Sequence, residues 1–147
     1  MELKRVVVTG IGMVTPLGND VTTTWENLLA SKSGASNITH FDASKFKTQF
    51  ACEVKDLDVS SLFDPKELRR YDRYIHLAIH SAEQAIQDAG ICVEKEDSLR
   101  CGVIYGSGMG GVHTLDLNIE AFEYQLITSI FKAKNIVSNF LKEVKSQ

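Results

Sequence analysis

The chain has 147 residues, 44% hydrophobic and 24% charged, a globular composition that excludes a disordered polar polypeptide. Its formal net charge of −3 excludes a basic surface spread over the whole molecule, so no nucleic acid is expected as a partner. No apolar run reaches the length of a membrane span, and Cys52, Cys92 and Cys101 stand far apart with no CxxC pair; a soluble cytoplasmic protein in a reducing compartment is expected, with no metal centre.

The charge is uneven, because residues 125–147 hold four lysines and one glutamate while the rest of the chain is acidic. A change of character near Tyr124 follows.

Arg5 to Gly18 reads RVVVTGIGMVTPLG. Val6 to Val8 predict a buried strand of a parallel sheet, and Gly10 and Gly12 a tight turn after it. Asn19 or Asp20 caps a helix that carries Val21, Trp25, Leu28 and Leu29 at helical spacing; Thr23 with Glu26 is the competing start, which would leave Val21 outside the apolar face. Ser33 and Gly34 end that helix. Between Ser36 and Asp58, ITHF and QFACEV predict a peripheral hairpin, with Phe50, Cys52 and Val54 on one face and Gln49 and Glu53 on the wet one.

Asp64 to Gly90 predicts one long helix. Asp64 is the N-cap, Pro65 takes the first helical position, Glu67 completes a capping box and Gly90 is the left-handed stop. Leu68, Tyr71, Ile75, Ala78, Ile79, Ala82, Ala85, Ile86 and Ala89 form an apolar stripe whose alanines permit close approach. Lys66, Arg69, Arg70 and Arg73 lie opposite, as a solvated face or a dock for an acidic partner. His76 and His80 stand one turn apart, a spacing that suits a metal, but no third ligand is near and packed or solvent-facing histidines are expected.

Residues 91–98 predict a loop. Val103 to Tyr105 then repeat the opening pattern, running into Gly106, Gly108 and Met109 as a second strand and turn, with a helix from His113 to about Tyr124 beyond. Gly106, Gly108 and Gly111 match the GxGxxG dinucleotide fingerprint, which also requires a carboxylate about 20 positions on. Phe131, Lys132 and Lys134 occupy that distance, the opening loop has Thr15 at its third glycine position, and neither loop is a GxxxxGK phosphate loop. Glycines that serve tight turns and packing are therefore expected, and no nucleotide cofactor.

Taken together, RVVVTGIGMVTPLGND, TWENLLASKSGASNITHFDASKF, YDRYIHLAIHSAEQAIQDAGI and CGVIYGSGMGG closely resemble the N-terminal part of the elongating β-ketoacyl-[acyl carrier protein] synthases, type II. The resemblance covers about residues 3–124. It implies an α/β thiolase-like fold, of which this chain is an incomplete first half with a mostly parallel sheet packed between helices. It also implies a cytoplasmic homodimer that condenses malonyl-acyl carrier protein with an acyl chain in fatty acid biosynthesis, without metal or nucleotide. In that family a cysteine at a helix N-terminus takes the acyl group and two histidines assist decarboxylation. None of Cys52, Cys92, Cys101, His40, His76, His80 and His113 matches those motifs, so no catalytic residue is assigned.

By position, Lys66, Arg69 and Arg70 match residues that bind the acidic carrier protein in relatives. Met109, inside GSGMGG, resembles a position lining the acyl-chain pocket, or is a core methionine at a turn. From Gln125 onward the resemblance stops. Residues 125–147 are expected to form an amphipathic helical tail outside a domain of residues 1–124, in a truncated or frame-disrupted chain. An acyltransferase by descent, inactive alone, is the first expectation. A non-catalytic module that binds carrier protein or an intact synthase is the second, and a nucleotide-binding domain the third.

Overall fold

The computed structural model describes the backbone of residues 4–145 and the side chains of residues 4–130. The chain divides into two compact units, Met1–Ser107 and Gly108–Gln147.

In the first unit, helix α1 (Val21–Leu29) starts at Asp20, whose carboxylate accepts from the Thr23 amide and hydroxyl, each at 2.7 Å. The earlier of the two predicted caps is the real one. Its inward face is polar, a correction to the expected apolar packing: Thr24 is buried, whereas Trp25, Leu28 and Leu29 are exposed. The reason lies in the turn before it. Thr15 and Gly18 bridge one another, the Thr24 hydroxyl donates to the Gly18 carbonyl at 3.1 Å, and Asn27 Nδ2 donates to the Leu17 carbonyl at 2.6 Å. Carbonyls turned toward a helix require donors there, and Thr24 and Asn27 supply them. The chain leaves α1 at Ser31, with φ 53°, two residues earlier than Ser33.

Strands β1 (Ala35–Asn37) and β2 (Phe50–Cys52) pair antiparallel, with Ser36 opposite Ala51. The hairpin exists as predicted, with its first strand just before ITHF. Its expected faces are reversed, since Phe50 and Cys52 are exposed and Glu53 is buried. A hydrogen-bonded clasp decides this: Glu53 accepts from the Thr39 hydroxyl at 2.7 Å and from the Thr39 amide at 3.1 Å, with His40 Nε2 at 3.9 Å. A satisfied carboxylate tolerates burial, whereas Phe50 stays 63% exposed on this small sheet.

The predicted long helix is two helices. α2 (Pro65–Arg70) stops at Tyr71, and α3 (Arg73–Ala89) starts from Asp72; both junction residues have extended backbone. The break turns the Tyr71 ring onto Phe63 at 6.1 Å between centroids, and Phe63 in turn meets the His76 ring edge-on at 4.9 Å. Phe63, Val59 and Ala43 are the buried apolar residues among those described. Both outer ends follow the sequence. The Asp64–Glu67 capping box forms, and Gly90 takes φ 63°. Two short 3-10 turns, Val93–Lys95 and Ser98–Arg100, occupy the expected loop.

The opening segment runs antiparallel along α3. A β-carbon at Gly10 would meet Ala89 N at 2.7 Å, and one at Gly12 would meet Ala85 N at 2.9 Å. The Ile11 amide donates to Asp88 at 2.9 Å and the Met13 amide to Gln84 Oε1 at 3.1 Å, while Gln84 Nε2 donates to the Asn19 carbonyl at 2.7 Å. The spacing explains the match. Two residues of near-extended chain advance about 6.6 Å, and four residues of helix about 6 Å, so amides 11 and 13 meet side chains 88 and 84.

Neither Val6–Val8 nor Val103–Tyr105 forms a strand, and neither is buried; Val8 is 81% and Val103 95% exposed. The buried strands expected there lack a ladder partner among the described residues, and an unpaired apolar run has no sheet to enter.

In the second unit, α4 (Val112–Lys145) is one continuous helix. It includes the helix expected from His113 to Tyr124 and residues 125–145 of the expected tail; residues 146 and 147 lie outside the described residues. No helix of the described residues is long and apolar enough to cross a membrane.

Candidate functional site

Capping concentrates positive charge at the end of α2. Asp64 accepts from the amides of Lys66 and Glu67 at 2.6 and 2.9 Å, and Glu67 accepts in return from the Asp64 amide at 3.2 Å. Lys66, Arg69 and Arg70 are exposed, with both arginines in the last turn, where cations complement the helix dipole. No carboxylate lies within 4.0 Å of any of them among the described residues, where His40 and Glu53 form the one ion pair. Arg73 does not extend this patch as the one-helix reading implied. It begins α3, and its guanidinium donates to the Val54 carbonyl at 2.6 Å, tying α3 to the end of the hairpin. Among the described residues, three cations without a carboxylate partner within 4.0 Å thus stand on one short, capped helix.

His76 and His80 share α3, and His76 Nε2 and His80 Nδ1 are buried with no hydrogen-bond partner among the described residues. The described residues contain no group of three side chains that could hold a metal ion. His76 packs against Phe63 as an aromatic ring.

Each cysteine is a free thiol. Cys52 ends β2, Cys101 follows the second 3-10 turn, and Cys92 precedes the first, with its thiol donating to Glu94 at 3.2 Å. None stands at the N-terminus of an α-helix, where a thiolate nucleophile is favoured. A cleft of about 340 Å³ opens beside residues 15–20, Thr23, Lys55 and Asp56; it contains hydroxyls, amides and charges, and its Thr23 hydroxyl and Asp20 carboxylate are joined at 2.7 Å as the N-cap of α1.

Gly106 belongs to the first unit and Gly108 and Gly111 to the second, with α4 starting at Val112. The fingerprint's helix is present. Its preceding strand is not, and Lys132 and Lys134 lie within α4 rather than at a strand end. The dinucleotide fingerprint requires a strand before the loop and a carboxylate at the end of a second strand. Met109 is 81% exposed in the second unit.

Two features escaped the sequence reading, the Glu53–Thr39 clasp and the Asp88 and Gln84 contacts to the opening segment. Thr39 holds the Glu53 carboxyl below its usual range, first through its hydroxyl and then its amide, with His40 adding to the effect. Gln84 and Asp88 at i and i+4 beside Ala85 and Ala89 were the legible signal, since a small-residue face that admits a backbone needs polar groups to satisfy it.

Comparison with known proteins agrees with these blocks. Residues 3–143 match the family described as beta-ketoacyl synthase, N-terminal domain. The 3-oxoacyl-[acyl-carrier-protein] synthase 2 of Coxiella burnetii is 46% identical over 121 residues, covering 82% of this chain and 29% of that protein. The synthase 2 of Vibrio cholerae is 42% identical over 121 residues with the same coverage. Among solved structures, the ishigamide ketosynthase/chain length factor superposes with a TM-score of 0.68 at 31% identity, over 78% of this chain and 28% of that one. The chain thus spans less than a third of the length of these relatives, with a ketosynthase-type, thiolase-like fold over the shared part. With four sequence blocks, the superposition and a family match across nearly all its residues in agreement, the chain belongs to the beta-ketoacyl synthase family, through its N-terminal domain.

Proposed function

We propose that this chain carries the carrier-protein docking helix of a β-ketoacyl-[acyl carrier protein] synthase and does not condense acyl groups by itself. The observation that carries the reading is the trio Lys66, Arg69 and Arg70, exposed and without a carboxylate partner within 4.0 Å among the described residues. An acidic carrier protein supplies the missing anions. The synthase reaction joins malonyl- and acyl-carrier protein with loss of carbon dioxide in fatty acid biosynthesis, and it needs a cysteine nucleophile at a helix N-terminus. Cys52, Cys92 and Cys101 do not offer one.

Several finer features belong to the same proposal. Val6–Val8 and Val103–Tyr105 are strands of a mostly parallel sheet that forms when the rest of a synthase is present, as their exposed β-branched composition supports. Met109 lines an acyl-chain pocket in that assembled state, and the assembled protein is a cytoplasmic homodimer. The quoted synthase blocks end near Tyr124, although the family match runs on to residue 143, and residues 125–147 follow a disrupted reading frame. Sequencing the gene across codons 120–150 tests this last point: an intact synthase frame recovered downstream supports it, and a clean stop with no synthase sequence beyond defeats it.

The docking reading is tested by titrating the purified chain with acyl carrier protein. Binding that falls with added salt and weakens at least about tenfold in Arg69→Glu/Arg70→Glu supports the site; no binding by the parent chain removes it. A condensation assay with malonyl- and acyl-carrier protein is expected to give no turnover. If docking occurs without turnover, the chain acts as a non-catalytic module, which the free cations on α2 also favour.

A further inference from the structure

We propose that the chain carries a proteolytic processing site at Gly102–Gly106, where an endopeptidase with a pocket for an aromatic side chain hydrolyses the Tyr105–Gly106 bond. Residues 101–107 form no secondary structure, and all of them are exposed. Gly102–Gly106 make no hydrogen bond among the described residues. Val103 is 95% exposed and Ile104 fully so, and a β-carbon at Gly102 or Gly106 would meet nothing within 4 Å. An endopeptidase takes its substrate as an extended strand whose backbone pairs with its own. Most native segments must unfold locally before they can enter such a groove. Here no backbone hydrogen bond has to break first, so opening does not limit cleavage.

Exposure alone does not choose the bond. Leu99 is 95% exposed, but it sits in the 3-10 turn Ser98–Arg100 with its amide donating to Asp97 at 3.0 Å. Tyr124 is 73% exposed, but it lies inside α4, where the helical hydrogen bonds hold its backbone. Phe41 and Phe46 pack edge-on at 5.6 Å; the bond after Phe41 leads into a turn in which Asp42 accepts from the Ser44 amide at 3.0 Å, and the Phe46 amide donates to the Ala43 carbonyl at 3.0 Å. Tyr105 is 57% exposed and joins an aromatic side chain to a backbone without hydrogen bonds among the described residues. Gly106 beyond it has no β-carbon to obstruct the scissile bond. One water is consumed: the amide C–N bond breaks, the Tyr105 carbonyl carbon gains the water oxygen and becomes a carboxylate, and the Gly106 nitrogen leaves as the amine. The products are residues 1–105, with α2 and α3, and residues 106–147, with α4. The inference concerns the chain by itself and does not rest on carrier-protein docking.

Digestion of the 147-residue chain with dilute chymotrypsin, followed over time by mass spectrometry under denaturing conditions, tests the proposal. Residues 1–105 and 106–147 are the fragments expected first, released at a rate within about tenfold of that for a free peptide of residues 99–111, because no opening step precedes the cut. Tyr105→Asp should slow this cut at least about tenfold, whereas Tyr105→Phe, which keeps the ring, should retain it. A misfolded variant would be cut faster at its other aromatic residues, so slower digestion of Tyr105→Asp is not a folding defect. First cuts after Phe41, Phe46 or Tyr124 would overturn the proposal. So would a cut after Tyr105 more than about tenfold slower than in the peptide, which would mean that the segment is covered in solution.

Discussion

Gly12 packs against the Ser81 carbonyl so closely that a β-carbon at position 12 would overlap it, and the same β-carbon would stand 2.9 Å from the Ala85 amide nitrogen. Both obstacles are backbone atoms of one helix, so neither can rotate away. Gly12→Ala should therefore cost about 3 kcal/mol or more by forcing the opening segment off α3. The check is a urea denaturation midpoint beside that of Gly90→Ala. At Gly90 nothing lies within 4 Å of the added β-carbon, and the penalty comes from its φ of 63° alone. Equal midpoints for parent and Gly12→Ala would refute the packing account.

Asp88 and Gln84 hold the same segment by side-chain acceptors at the Ile11 and Met13 amides. Asp88→Ala removes the carboxylate and leaves the Ile11 amide without it, so amide hydrogen exchange at Ile11 should rise at least about tenfold while Thr24 in α1 stays protected. Unchanged exchange at Ile11 would show that Gly10 and Gly12 suffice to seat the segment.

The Glu53 clasp makes the hairpin sensitive to acid. Its carboxyl is held below the ordinary value of 4.5 in the folded chain, chiefly by the Thr39 hydroxyl. The unfolded chain therefore binds this proton more readily than the folded one. The stabilisation is fully present above the unfolded value and is lost as pH falls through the lowered, folded one. Glu53→Gln should flatten the dependence of the thermal midpoint on pH across the acidic range while still accepting from Thr39 through its amide oxygen. A variant whose midpoint falls with acid as steeply as the parent's would place the sensitivity elsewhere.

At α2 the capping box can be tested without touching the basic residues. Asp64→Ala removes the acceptor of the Lys66 and Glu67 amides and should cost about 1 kcal/mol. Because this helix presents Arg69 and Arg70, carrier-protein affinity should fall modestly in parallel, by less than in the arginine reversals. An Asp64→Ala chain with full affinity would mean that docking does not depend on an ordered α2.

The sequence by itself determined what depends on neighbours within a few residues. The start of α1 at Asn19 or Asp20, the Asp64–Glu67 box, the left-handed Gly90 and the existence of the hairpin follow from local hydrogen-bonding and backbone preferences and were legible, with Asp20 as the actual cap left to the structure. The family was legible as well, because its four blocks carry specific residues in a specific order. Tertiary structure decided which face turns inward. α1 presents Thr24 and Asn27 to a turn with carbonyls to satisfy, Glu53 is buried because Thr39 satisfies it, and the helix predicted from Asp64 breaks at Tyr71 and Asp72 as Phe63 takes up the Tyr71 ring. Val6–Val8 and Val103–Tyr105 show the same division. Their composition expresses a preference for strand, but a strand exists only where another chain segment completes its ladder.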